Sequence, residues 1–544
     1  MVEWPHGNII CLRQGSTARP VNVDLQRAPR EPVELARMAV LLGDRDDVAI
    51  ARQMLVPGTV LVTARGSVKV RQAVPAGHKL ALRAIECGEP VRRYGQMIGV
   101  ATCDVAPGDH VHVHNLAVGG QRPELDETAG TGNAPTAVLS ASEQRTFLGF
   151  RRSDGRVGTR NYVGVLASVN CSSSAARRIA EIVRASGILA EFPNVDGIVA
   201  FATKGGCGAR HGSPELALLQ RTLTGVVEHP NVAAFVVISL GCETNQPDEM
   251  IELGASLDDG DPTVLMIQEQ GGFERTVTAG VDAVQRLLPR ANDRAREPVP
   301  ASELMVALQC GGSDGWSGVT ANPALGRAAD ELVRQGGTVV LAETPEVYGG
   351  EHLLMRRARS PEVAAELLER IGWWERQAAV VGGSIDNNPS PGNKAGGLTT
   401  IYEKSLGAIA KGGSTPLTEV VGYADRPTEH GLVHMDTPGY DPVSVTGQVA
   451  GGCTVVAFTT GRGSAFGFKP APVLKIATTS QLYAAQEPDM DVNAGRILEG
   501  ASIEEIGREI FDEILAVASG KQTKSELADL GEEEFNPWIL GLTF

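Results

Sequence analysis

From Phe147 onward the chain repeats one pattern: a short apolar run stops at a glycine- or serine-rich turn, and a helical periodicity follows. YVGVLAS (162–168) ends at Asn170-Cys171 ahead of a helical stretch over 172–186. GIVAF (197–201) ends at Lys204-Gly-Gly-Cys207, and Pro214 then opens another helix. AAFVVISL (233–240) ends at Gly241-Cys242-Glu243, and VLMI (264–267) ends at Gln268. Apolar runs of this length alternating with helices specify a parallel sheet covered on both faces. Ligands of such sheets bind beyond the carboxyl ends of the strands, and three successive strands place a cysteine there.

The same texture restarts near Pro298. LMVAL (304–308) runs into Gln309-Cys310-Gly-Gly-Ser-Asp314, and TVVLA (338–342) into Glu343, with Glu346, Glu351 and His352 close behind. A loop carrying His434, Asp436 and Pro438 precedes TVVAF (454–458), which ends at Thr459-Thr460-Gly461-Arg462-Gly463. VLKIA (473–477) and a helix over 503–519 follow. The reading is a first α/β domain over 144–290 and a second over 298–544, both with largely parallel sheets. Cys453 departs from the cysteine pattern because it precedes its strand.

Ser384–Gly412 (SIDNNPSPGNKAGGLTTIYEKSLGAIAKGG) is the stretch most suited to a ligand. Its Asn/Pro/Ser run cannot hold a regular element, and its glycines allow close backbone approach. A helix starts near Ile401, and Lys394, Lys404 and Lys411 lie close by, so the stretch suits a carboxylate or a phosphate. A plain surface loop before a helix is the alternative.

Residues 46–117 differ in texture: short β-rich pieces separated by Pro57-Gly58, Pro75-Ala76-Gly77 and Pro107-Gly108-Asp109 form an all-β module. His110, His112 and His114 alternate there on a strand, which puts three imidazoles on one face, and His78 sits in a turn. Imidazoles so placed bind metal or polyol or act as bases; a polar edge strand is the other reading. Residues 1–45 read as an extension, and 118–143 as a Gly/Pro/Thr-rich linker.

Composition narrows the partners. With 49 basic and 65 acidic side chains the net charge is −16, which opposes binding to nucleic acid or to an anionic membrane. No apolar run approaches a membrane span, and the N-terminus lacks the order of a signal peptide, so a cytoplasmic protein is expected. Eight cysteines without CxxC spacing argue against a zinc ribbon or disulfide framework. Cys171, Cys207, Cys242 and Cys310 at strand ends suit a soft metal, iron fitting thiolate with imidazole and carboxylate; small buried hydrophobes are the alternative. Gly461-Arg462-Gly463 is not a dinucleotide loop, because the prolines after it forbid the helix that would hold a pyrophosphate.

Several long motifs, taken in order, resemble the altronate/galactarate dehydratase family, whose relatives include the two-subunit sulfolactate sulfo-lyases. They are GHKLALRAIECGEPVRRYGQMIG and HVHVHN in the β module, then DGRVGTRNYVGVLASVNCS, the GCG and LGCE loops, QCGGSD and AETPEVYGGEHLL. NPSPGNKAGGLTTIYEKSLG, HMDTPG, FTTGRG and VNAGR complete the set, and the tail EEEFNPWILGLTF resembles the altronate branch. Where the family carries a histidine shortly before the GCG loop, this chain has Thr203-Lys204.

The resemblance implies an N-terminal SAF-type β-clip module and two α/β domains. It also implies an iron-stimulated hydro-lyase that dehydrates a sugar acid at C2–C3 to a 2-keto-3-deoxy acid. D-altronate, giving 2-keto-3-deoxy-D-gluconate, is the first expected substrate, galactarate or another aldaric or aldonic acid the second; a non-catalytic sugar-acid binder is the competing class. Expected bases are His112, His114, His78 and Lys204. Expected substrate contacts are Arg160, Lys394 and Arg462 as a carboxylate clamp, Asn161, Asn393, Thr399 and Thr400 from the same motifs, and the acids Asp314 and Glu343. The expected cofactor is Fe²⁺ on the strand-end cysteines, with an iron–sulfur cluster or Mn²⁺ as alternatives, and the expected assembly is a homodimer.

Overall fold

The computed structural model describes residues 28–64, 66–119, 136–252 and 263–540. Most of the expected extension (1–27) and of the linker (120–135) therefore lies outside the described residues. The ordered end of that extension is not separate: Val33–Glu34 pairs with Val60–Thr63, and Ala39–Val40 pairs with Val48–Ala51. The β module thus begins before residue 46 and runs to Leu116–Ala117 in three small sheets.

The first α/β domain holds four parallel strands in the order Gly197–Phe201, Tyr162–Ala167, Val232–Ser239, Thr263–Met266. Its helix Phe273–Asn292 buries Val277, Gly280, Ala283, Val284, Leu288 and Ala291, a stripe at three- and four-residue spacing that faces the sheet. With helix Asn170–Ala185 it covers one face of the sheet. Leu166, Val199 and Phe201 on the other face join a core shared with Ala307, Val340, Val433 and Phe458 of the second domain.

That second domain is a seven-stranded parallel sheet. Its order is Leu417–Val421, Gly431–Met435, Thr338–Leu341, Met305–Cys310, Val455–Thr460, Val473–Ala477, Val492–Asn493. Successive connections leave in opposite directions from Met305–Cys310 and Val455–Thr460, so the strand order reverses between them. In open α/β sheets this is where a crevice forms. Three of these strands, Leu417–Val421, Gly431–Met435 and Val492–Asn493, have no counterpart in the sequence reading. His434, expected in a loop, lies within Gly431–Met435, and burial pushes its imidazole down to about 3.

The β module docks on the second domain of its own chain. Lys79 Nζ lies 2.9 Å from both oxygens of Glu403 and 2.6 Å from Gly397 O, while Arg93 pairs with Glu403 and donates to Gly315 O at 2.7 Å. All three charged side chains are buried. The C-terminal tail returns to the first domain, where Arg184 pairs with Glu532 at 2.9 Å and the Phe201 and Phe535 rings meet at 5.4 Å, while Trp538 stacks on Trp374 of the second domain.

Candidate active site

The crevice beyond the carboxyl ends of the second sheet is a cavity of about 460 Å³. Cys310, Glu343, Glu346, Asn388, Lys404 and Asp441 supply its chemistry, with Asn387, Ser390, Asn393 and Tyr440 around them. Local structure explains each position. Cys310 is the last residue of its strand. Glu343 follows the next strand in a left-handed conformation (φ 68°), a costly backbone state for a residue with a Cβ. The Thr437 hydroxyl, accepting from Glu343 N at 2.9 Å, holds it there. Asp441 opens helix Asp441–Ala450, and a Cβ at Gly311 would collide with its carboxylate, so only glycine allows this approach. Lys404 projects from helix Ile401–Ile409, which Thr400 caps by accepting from Glu403 N.

Charges in the cavity are set against each other. Lys404 Nζ donates to Glu346 Oε1 at 2.6 Å and to Asn388 Oδ1 at 2.8 Å, so one ammonium proton remains for a ligand. Burial works to raise the Glu346 pKa, but Lys404 and Lys411 outweigh it and hold the group below the usual range. Glu343 is driven the other way, well above its ordinary value, by burial and by the charges of Glu346 and Asp441. Its Oε2 is buried without a hydrogen-bond partner. Burial raises Asp441 to about 6 despite the hydrogen bond from Gln309 at 2.7 Å. Behind the cavity Lys411 donates to Cys310 Sγ at 2.9 Å, yet burial pushes the thiol up to about 12. Two carboxyl groups of opposite shift and a third poised near neutrality are an acid–base set.

The donors also fit a cation. Cys310, Glu343 and Glu346 place one ligand atom each within 4.8 Å of the others, the group of this kind among the described residues. A thiol with two carboxylates, one oxygen of them unpartnered, suits a borderline divalent ion such as Fe²⁺.

The expected site residues divide. Glu343 and Asn393 reach the cavity, Asn393 mainly as a brace that donates to Ser313 O at 2.8 Å. Arg160 is corrected from clamp to structural pin: it pairs with Glu526 at 2.6 Å and donates to Val517 O and Lys521 O. Asn161 is likewise structural, bonded to Asn194 O and Ala291 O. Thr399 donates to Glu403 at 2.5 Å and Thr400 to Ile98 O, which assigns both to module docking. The Asp314 carboxylate, raised to about 6 by burial, accepts from Trp316 N and Ser317 N and shapes a turn. Lys394 and Arg462 are absent from the cavity lining. The amine that lines it is Lys404, which the sequence marked only as one of three nearby lysines.

The histidines do gather, though only His110–Val111 is strand and His112–Asn115 is a turn. His78 Nδ1 lies 3.0 Å from His110 Nε2, and the His78 and His112 rings stack at 4.8 Å. His114 approaches His110 at 5.4 Å. His112 and His78 contact the carbonyls of Lys394 and Ala395 at 2.9 and 3.2 Å, which puts the cluster against the segment whose Ser390 and Asn393 line the cavity. Burial lowers His110 to about 3 and His112 to about 4. Cys171, Cys207, Cys242 and Lys204 lie in the first domain, at the other sheet.

Sequence families match the chain in the order of these units. The altronate/galactarate dehydratase SAF domain matches 37–119, the D-galactarate dehydratase/altronate hydrolase second domain 149–292, and the D-galactarate/altronate dehydratase C-terminal domain 301–543. Altronate dehydratase of Bacillus subtilis is 35% identical over 497 residues, 90% of this chain and 96% of the relative.

The chain belongs to the altronate/galactarate dehydratase family.

This dehydratase is accordingly a hydro-lyase of sugar acids. Altronate dehydratase of Escherichia coli is 36% identical to it over 487 residues, with 90% and 96% covered. Galactarate dehydratase (L-threo-forming) of the same organism is 40% identical over 456 residues, with 82% and 87% covered. Among the described residues, no helix is long and apolar enough to cross a membrane.

Proposed function

We propose that this dehydratase converts D-altronate to 2-keto-3-deoxy-D-gluconate in the Cys310–Glu343–Asp441 cavity. The observation that carries the substrate choice is that Lys404 is the one cation among the residues lining the cavity. One ammonium clamps one carboxylate, which suits an aldonic acid; an aldaric acid brings a second anionic end with no partner there. Coverage of the altronate relatives, 96% of their length, also favours this reading, although the galactarate relative is the more identical.

The proton at C2 is weakly acidic, so the carboxylate must be held as it becomes an enediolate. Lys404 does this with its remaining donor. Asp441, near 6, is ionised at neutral pH and takes the C2 proton. Glu343, kept protonated by burial, gives its proton to the departing C3 hydroxyl. Fe²⁺ held by Cys310, Glu343 and Glu346 would supply Lewis-acid charge on that side of the cavity, Glu343 then serving as ligand instead of acid. The enol takes a proton at C3 to give the keto acid.

A panel of aldonic and aldaric acids tests the proposal. D-altronate should show the highest kcat/KM, and turnover in D₂O should place one deuterium at C3. Faster turnover of galactarate would overturn the substrate choice, and a product without deuterium would overturn the enol.

A further inference from the structure

We infer that Cys171, Cys207 and Cys242 bind an iron–sulfur cluster at the carboxyl edge of the four-stranded sheet, separate from the Cys310 cavity. Free cysteine is among the most buried residue types, as Cys310 and Cys453 are here. These three are exposed, as are Cys87 and Cys103 of the β module, but these three follow three neighbouring strands of one sheet.

Their loops are tied into one platform. Asn170 N donates to Gly205 O at 2.9 Å, and Asn245 donates to Gly206 O at 3.0 Å and to Ser168 O at 2.8 Å. Ser168 Oγ donates to Glu243 at 2.7 Å. Gly206 (φ 98°) lies so close that a Cβ would stand 2.5 Å from Ser168 O. The place is also the right one topologically. Connections leave in opposite directions from Tyr162–Ala167 and Val232–Ser239, and Cys171 and Cys242 flank that reversal, where open α/β sheets bind ligands. Cys171 lies in the first turn of a 16-residue helix that no side chain caps, so its N-terminal dipole faces the charge of bound thiolates. A cavity of about 410 Å³ bordered by Cys207, Lys204 and Arg210 leaves room beside it.

The arrangement opposes a single ion. Thiolates on one tetrahedral ion stand within about 4 Å of each other, from metal–sulfur bonds of about 2.3 Å. The three thiols do not form such a group, since the one triad of ligand atoms within 4.8 Å among the described residues is Cys310, Glu343 and Glu346. Thiolates of a cluster bind different irons and so stand further apart. On assembly each thiol loses its proton to solvent and forms one sulfur–iron bond, with iron and sulfide coming from outside and no electron passing to the protein. A four-iron cluster has four external ligand positions, so three cysteines leave one iron open to an oxygen ligand.

The test is anaerobic incubation of the full chain with iron salts, sulfide and dithiothreitol. The expected result is a broad visible absorbance bleached by dithionite, with iron and acid-labile sulfide near four each per chain. Cys171→Ser, Cys207→Ser and Cys242→Ser should each lose the absorbance and most of the iron, while Cys310→Ser, matched by circular dichroism, keeps both. Absorbance that survives in the three variants, or iron bound without sulfide, would overturn the proposal. The spectrum does not depend on turnover, so failure here leaves the Cys310 cavity standing, and loss of activity in Cys310→Ser with its spectrum intact bears only on that cavity.

Discussion

Lys411 donates to the Cys310 sulfur across 2.9 Å, and both side chains are buried. The ammonium gives the thiol a partner without making it reactive, because burial still pushes it up to about 12. Alkylation of the cluster-free chain near neutral pH should therefore label exposed Cys171, Cys207 and Cys242 and leave Cys310 unmodified until the chain unfolds. Peptide mapping by mass spectrometry reads the result; prompt labelling of Cys310 would contradict its burial.

Asp441→Asn should lower kcat by about 10²–10⁴-fold with little change in KM, as expected for loss of a general base. The base works ionised, so wild-type kcat should fall as pH drops below about 6. A pH–rate profile of the residual activity should lack that limb in the variant. An unchanged limb would assign the base elsewhere.

Removing divalent metal with a chelator should abolish turnover, and Fe²⁺ should restore it. Glu343→Gln should weaken that restoration by at least about tenfold in the iron concentration required, because it loses an anionic ligand. Full activity of metal-free enzyme would show that Glu343 works through its proton alone.

Glu403→Gln should loosen the β module. It leaves Lys79 and Arg93 buried without their counter-charge, a change that costs about 3–5 kcal/mol for a broken buried pair. Burial favours the neutral carboxyl, but the two cations outweigh it and hold Glu403 at about 2, against 4.5 when unfolded. Its contribution is thus complete above about pH 4.5 and disappears as pH falls toward 2. Limited proteolysis of the module, followed against pH, checks both points.

The histidine cluster adds a second acid sensitivity. His110 and His112 titrate at about 3 and 4 when folded and at 6.5 when unfolded, so the unfolded chain gains protons first. Stability should be full above pH 6.5 and decline as pH falls to about 3. Calorimetry of a His110→Asn/His112→Asn variant should show a shallower decline; an equal slope would place the sensitivity elsewhere.

The parallel sheets were legible because their strands are buried on both faces and read as unbroken apolar runs. Gly431–Met435 escaped because His434 interrupts its run, and nothing local reveals that Thr344 accepts the ring at 3.2 Å. Arg160 was misread for a similar reason: its partner Glu526 stands 366 residues away, so a motif arginine looked available when it was already spent. Lys404 and Lys411 did leave a signal. Seven residues apart at the end of a helical pattern, they fall on one face, whereas Lys394 precedes the helix. Choosing the pair by that spacing would have found the cavity's ammonium and the one behind it.

The Lys79–Glu403–Arg93 contact bears on how such a chain can be inherited. Each half is a liability without the other: the module alone exposes two cations shaped for a vanished acid, and the body alone keeps a carboxylate stripped of both its cations. A recombination event that swaps one half must therefore carry a matching charge pattern or yield a chain whose pieces part. The covalent tether becomes dispensable, since cohesion resides in the contact, and two polypeptides preserving these three residues could divide the gene between them and still assemble.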